Sequence, residues 1–163
     1  MNNRPQFDPA ELAIEARQLI SACNTGTLST MSQKQPGFPF GSVCPFATDD
    51  SGSPIFLFSS LAVHSKNLRA EPRASLLVSA PSSGSGLQSG RVTIVGTVEE
   101  VPEEEVQSVG RRYLEAHPES AQWISFGDFR FYRLLPVDAY YVAGFGKMGW
   151  IQPTELGETT TDG

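Results

Sequence analysis

Residues 56–68 run Phe56-Leu57-Phe58-Ser59-Ser60-Leu61-Ala62-Val63-His64-Ser65-Lys66-Asn67-Leu68, and the rest of the chain is read outward from them. An apolar, aromatic strand stops at two hydroxyls, and a short helix over residues 63–70 begins a few positions later, closed by Pro72. The first turn of such a helix presents free backbone N–H groups and the positive end of its dipole. Ser59, Ser60 and Ser65 bring hydroxyl donors to that point, and Lys66 and His64 bring cationic ones. That set suits a phosphate monoester. A serine-capped turn followed by a solvated helix uses the same residues, so the pattern by itself leaves both readings open.

Upstream, Asp8, Pro9 and Glu11 form an N-cap, a first-turn proline and a capping-box acid. Leu12, Ala16, Leu19, Ile20 and Cys23 then recur at helical spacing, and Asn24 and Gly26 end the element. Strands are predicted over 27–31, 40–47 and 55–58, the last two joined by the turn Asp49-Asp50-Ser51-Gly52. Downstream, strands are predicted over 74–79 and 91–98, separated by a flexible Ser/Gly-rich loop at 81–90. Pro102 opens a second helix, with Glu103, Glu104 and Glu105 at its positive dipole end, running to His117. Two further strands, 129–135 and 139–143, are broken by Pro136, and the tail after Pro153 is read as disordered.

Seven strands with only one short helix between consecutive strands exclude a doubly wound parallel sheet. A closed or split antiparallel barrel with flanking helices is the economical solution, because closure removes exposed edges. The 163 residues make one domain over 1–152 and a tail over 153–163. A net charge of −6 without a Lys/Arg cluster excludes nucleic acid as a partner. No window is apolar enough for a membrane span, and the polar start lacks a signal-peptide core, so the expected setting is cytoplasmic, with no membrane partner. The two cysteines, Cys23 and Cys44, have no metal-type spacing and are expected to be buried thiols.

Five stretches in order carry a family resemblance: GFPFGSVCPFATD (37–49), SSLAVHSKNLRAEPRASLL (59–77), RYLEAHPE (112–119), FGDFRFYRL (126–134) and YYVAGFGKMGW (140–150). Over residues 10–151 the chain resembles the pyridoxamine 5′-phosphate oxidase-related, FMN-binding split barrels, and most closely their haem-utilisation (HugZ/HutZ) branch. The resemblance implies that Ser59, Ser60, Ser65, Lys66 and Asn67 face a cofactor phosphate. It places His64 where the wider family carries a basic residue, and Arg91 on a strand that passes close to the cofactor. It sets Gly41, Ser42 and Val43 along the flavin ring, where glycine permits close approach.

The resemblance further implies a homodimer with a small-molecule ligand at its interface, Lys147 at the pocket rim and Trp150 as an aromatic wall. The haem-utilising members ligate iron through a C-terminal histidine, and IQPTELGETTTDG (151–163) has none. Haem binding is thus expected to be weak or absent, and any that occurs to depend on His64, which borders the site, rather than on His117, which reads as a surface or capping residue before Pro118. FMN is therefore the expected cofactor of an oxidoreductase, with haem binding or breakdown the alternative. A non-catalytic binding or regulatory module on the same fold is the third reading.

Overall fold

The structure is a computed structural model that describes residues 7–81, 89–144 and 146–157. Helix α1 (Pro9–Ala22) starts as the sequence predicts, with the Asp8 carboxylate accepting the Ala10 N–H. Glu11 does not close a capping box; its carboxylate reaches Lys147 instead. Strands β1 (Thr25–Met31), β2 (Pro39–Pro45), β3 (Ala47–Thr48) and β4 (Pro54–Ser59) lead to α2 (Val63–Ala70). There follow β5 (Arg73–Ser79), β6 (Arg91–Glu100), α3 (Val106–Ala116), the short α4 (Ala121–Ile124), β7 (Phe129–Val142) and β8 (Met148–Ile151).

Every pairing is antiparallel, along the path β2-β1-β5-β6-β7-β4-β3, with β8 also on β7. The predicted strand 40–47 is thus two strands, β2 and β3, lying at opposite ends of the path. The chain carries one edge of the sheet round to the other at Phe46, whose N–H donates to the Asn24 carbonyl at 2.9 Å. This curls the sheet into a half-barrel. Leu28, Leu76, Val78, Val92, Ile94 and Leu134 fill its concave side against Leu12, Ala16 and Ile20 of α1. A second cluster packs Val109 and Tyr113 of α3 against Ile55 and Phe131.

Further expectations need correction. Residues 129–142 are one strand, not two: Pro136 sits opposite Gly96, where the β6–β7 register shifts, so the missing N–H falls at a bulge. A side chain at Gly96 would collide with the Leu135 carbonyl oxygen, which makes glycine the condition for that bulge. The second helix begins three residues late, since Glu103–Glu105 form a 3-10 turn. The tail does not end its order at 152: Pro153–Glu155 form a capped 3-10 turn, and Leu156, 4% exposed, joins the main core. Residues 158–163, and 82–88 of the predicted flexible loop, lie outside the described residues.

His117 is not a surface residue. It is 3% exposed, with Nε2 2.8 Å from the Phe46 carbonyl oxygen and Nδ1 3.4 Å from a Glu119 carboxylate oxygen. A carbonyl only accepts, so Nε2 carries a proton, and the ring ties α3 to the crossing at Phe46. Of the thiols, Cys44 is buried and pushed up to about 11 by desolvation, whereas Cys23 is only half-buried.

Candidate functional site

The run 56–68 folds as its sequence implies: β4 ends at Ser59, three residues turn, and α2 spans Val63–Ala70 with no side-chain cap. What differs is where the side chains go. The Ser59 hydroxyl donates to the Asp128 carboxylate at 2.7 Å and accepts the Leu61 N–H at 3.2 Å. The Ser65 hydroxyl donates to the Ser59 carbonyl at 2.7 Å, and Ser65 is 3% exposed. Asn67, 2% exposed, donates to Thr30 Oγ1 and accepts the Gln33 N–H, each at 3.0 Å. Ser65 and Asn67 therefore brace the corner between β4, α2 and β1 from inside, instead of facing a phosphate with their side chains. Ser60 and Lys66 remain at the surface of this corner.

His64 packs its ring against Phe58, with centroids 4.3 Å apart, and makes no side-chain hydrogen bond among the described residues. Burial holds its pKa below the ordinary 6.5, because desolvation disfavours the imidazolium. At neutral pH the ring is uncharged and offers a nitrogen lone pair. Phe58 also contacts Tyr132, with centroids 5.5 Å apart, and Arg130 pairs with Phe58 across β4 and β7. Sequence reading missed this grouping of His64, Phe58, Tyr132 and Arg130. The signal available was the alternation of Arg130 and Tyr132 within 126–134, which sends both to the same face of β7.

Arg91 is not at this corner. Ser59 pairs with Phe129 at the start of β7, and Arg91 pairs with Val142 at its far end, about 40 Å of strand away at ~3.3 Å per residue. Arg91 lies instead on the convex side of the sheet, beside Ser79. Its Nη1 is buried and has no hydrogen-bond partner among the described residues. Gly41 and Val43 share that side, whereas Ser42 pairs with Leu28 on the opposite face. A row of cross-strand neighbours, Val43, Thr27, Leu77, Thr93, Tyr140 and Trp150, crosses it. Val43 is 77% and Trp150 60% exposed. Lys147 is not a free rim residue: Glu11 and Glu15 of α1 hold its ammonium at 2.8 and 2.6 Å.

An antiparallel half-barrel with flanking helices defines a class, and comparison with known proteins places the chain within it. The family model "CREG, beta-barrel" matches residues 7–157, so the chain belongs to that family. It is 44% identical over 131 residues to "Non-canonical heme oxygenase HOZ, chloroplastic" of Arabidopsis thaliana, spanning 80% of this chain and 40% of that protein. A heme binding protein from Mycobacterium smegmatis superposes with a TM-score of 0.81 at 30% identity, over 93% of this chain and 60% of its own. A putative pyridoxamine 5′-phosphate oxidase from Listeria innocua shares the fold, with a TM-score of 0.63 at 16% identity over 82% of this chain and 99% of its own. The split-barrel architecture is thereby established, and two of the similar proteins are described as haem proteins. The chain spans less than two thirds of the length of the first two relatives. Among the described residues, no helix is long and apolar enough to cross a membrane.

The β4–α2 corner presents two features that bear on a ligand: the His64 imidazole and the Ser59 hydroxyl held by Asp128. An iron ligand needs a ring nitrogen with a free lone pair, and the His64 ring, without a side-chain hydrogen bond among the described residues, has one to offer. A phosphate dianion at Ser59 would meet the Asp128 carboxylate that already holds that hydroxyl.

Proposed function

We propose that this chain binds haem at the β4–α2 corner, through His64, and serves in haem capture or breakdown. The carrying observation is the His64 imidazole: neutral, half-buried on Phe58 and without a side-chain hydrogen bond among the described residues. Likeness to a heme oxygenase and a heme binding protein supports the same reading. Haem, when bound, supplies a redox-active iron. The chain's own residues bind and orient it: His64 directs a nitrogen at the iron, Phe58 fixes the ring plane of that histidine, and the exposed Leu61 and Val63 offer apolar contact beside it.

A second reading, an FMN-binding flavoprotein, is favoured by one observation. A guanidinium with a buried, unpartnered nitrogen is costly and calls for an anion, and Arg91 carries one on the same side as Gly41 and Val43. In that reading the flavin phosphate goes to Arg91, and a homodimer covers the apolar row that ends at Trp150. Adding haemin and FMN in turn to the purified protein, followed by absorbance, separates the two. A sharpened and shifted Soret band with no perturbed flavin spectrum supports haem; a perturbed flavin spectrum with free haemin unchanged overturns it.

A further inference from the structure

The His64 corner is rimmed by groups that no assignment above uses. Arg69, exposed in the last turn of α2, reaches the Ser60 carbonyl only at a long 3.4 Å. Arg130 donates from Nη1 to the carbonyls of Gly127 and Phe129, at 2.9 and 2.8 Å, which fixes the guanidinium at the end of β7. Its carboxylate neighbour, Glu100, stands 3.7 Å from Nε, and both side chains are more than half exposed. Between them lies Tyr132, whose ring shares Phe58 with His64 and whose hydroxyl makes no hydrogen bond among the described residues. The Tyr132 phenol is pushed up by burial and by Glu100 and pulled back by Arg69 and Arg130, so both guanidiniums are close enough to act on it. Arg130, which pairs with Phe58 across β4 and β7, and Tyr132, which contacts it, thus flank the Phe58–His64 pair, with Arg69 acting on the same phenol and Glu100 as the competing acid.

We propose that Arg69, Arg130 and Tyr132 form the acid-recognising rim of the His64 site and select a tetrapyrrole that carries free carboxylates. This rests on the haem reading above and adds to it the part of the ligand that the protein discriminates. Guanidinium groups match carboxylates in geometry, and a bound macrocycle excludes the water that screens them in the free protein. The incoming carboxylate takes the place of Glu100 on Arg130, and the Tyr132 hydroxyl donates to it or to its neighbour.

The test uses two probes with the same ring and iron: haemin, and haemin with both propionates converted to methyl esters. Each is titrated by its Soret band into the wild type and into Arg69→Gln, Arg130→Gln and Tyr132→Phe. Charge-assisted hydrogen bonds of this kind predict that the wild type prefers haemin to the diester by at least about tenfold. Each arginine variant loses about tenfold for haemin and stays within about twofold for the diester, and Tyr132→Phe loses a few-fold for haemin alone. Equal wild-type affinity for acid and ester, or arginine losses that fall equally on both, overturns the rim and leaves the haem reading standing. Failure of the wild type to bind either probe overturns the haem reading, and the rim with it.

Discussion

The Ser59 hydroxyl donates to the Asp128 carboxylate at 2.7 Å, across 69 positions of sequence, and the Asp128 backbone carbonyl accepts the Ser60 N–H at 2.8 Å. One residue at the head of β7 therefore holds both serines at the tail of β4. Asp128→Ala leaves the Ser59 hydroxyl without its acceptor and loosens the corner that seats His64. Losing a hydrogen bond to a charged group costs about 1.5–3 kcal/mol, reduced toward the lower end here because the pair is only part-buried. Urea unfolding should show that loss with an unchanged m-value; stability equal to the wild type would mean that Asp128 does not brace the corner.

Flavin binding, where it occurs, should report on Arg91 and not on Lys66. Arg91→Ala is expected to weaken FMN by about one power of ten, the worth of one charge-assisted hydrogen bond, and Lys66→Ala to change it less than about twofold. Fluorescence titration of FMN into both variants decides between the two ends of β7. A larger loss with Lys66→Ala would return the phosphate to the helix start.

The convex row from Val43 to Trp150 predicts a second copy of the chain as its cover, because exposed Val43, Leu77 and Trp150 lying on one face of the sheet are unfavourable in water. Light scattering at micromolar concentration should give about twice 17.7 kDa, and Leu77→Glu should shift it toward one chain mass. A wild type that runs as a single chain contradicts the dimer.

Acid should destabilise the fold through His64. Its folded-state pKa is lowered by burial, so below the unfolded value of 6.5 the unfolded chain takes up a proton that the native chain refuses. Stability is then fully present above 6.5 and falls as the pH drops below it, levelling once the folded-state ring is also protonated. The His64→Gln variant should show a shallower fall over that window in urea midpoints measured from pH 8 to 5. Parallel curves for the two proteins would show that His64 is not desolvated.

Local chemistry carried much of this far before any coordinates. Pro72 and the Ser59-Ser60 stop bracket α2, Asp8-Pro9 starts α1, and both elements form as read. Failures trace to partners remote in sequence. Pro136 looks like a strand breaker until Gly96 is seen opposite it, where the bulge absorbs the proline. His117 does cap α3, as read, but its ring is buried by the Phe46 carbonyl, 71 positions away, rather than left at the surface. Ser65 and Asn67 carry ligand-type groups, but Ser59 and Thr30 take them inward, and no spacing rule reveals that. Ser59 and Arg91 pair with opposite ends of β7, because that strand runs through its proline without a break.

The central claim is that His64 is the iron ligand, and the most direct measurement is the Soret spectrum of haemin titrated into wild type, His64→Ala and His117→Ala. Wild type and His117→Ala are predicted to give the same sharp, shifted band, since the buried His117 ring faces Phe46 and Glu119 rather than the corner. His64→Ala is predicted to leave the spectrum of free haemin, or a broad band with affinity lower by at least about tenfold. A sharp band of undiminished affinity in His64→Ala would contradict the account and place the ligand elsewhere in the chain.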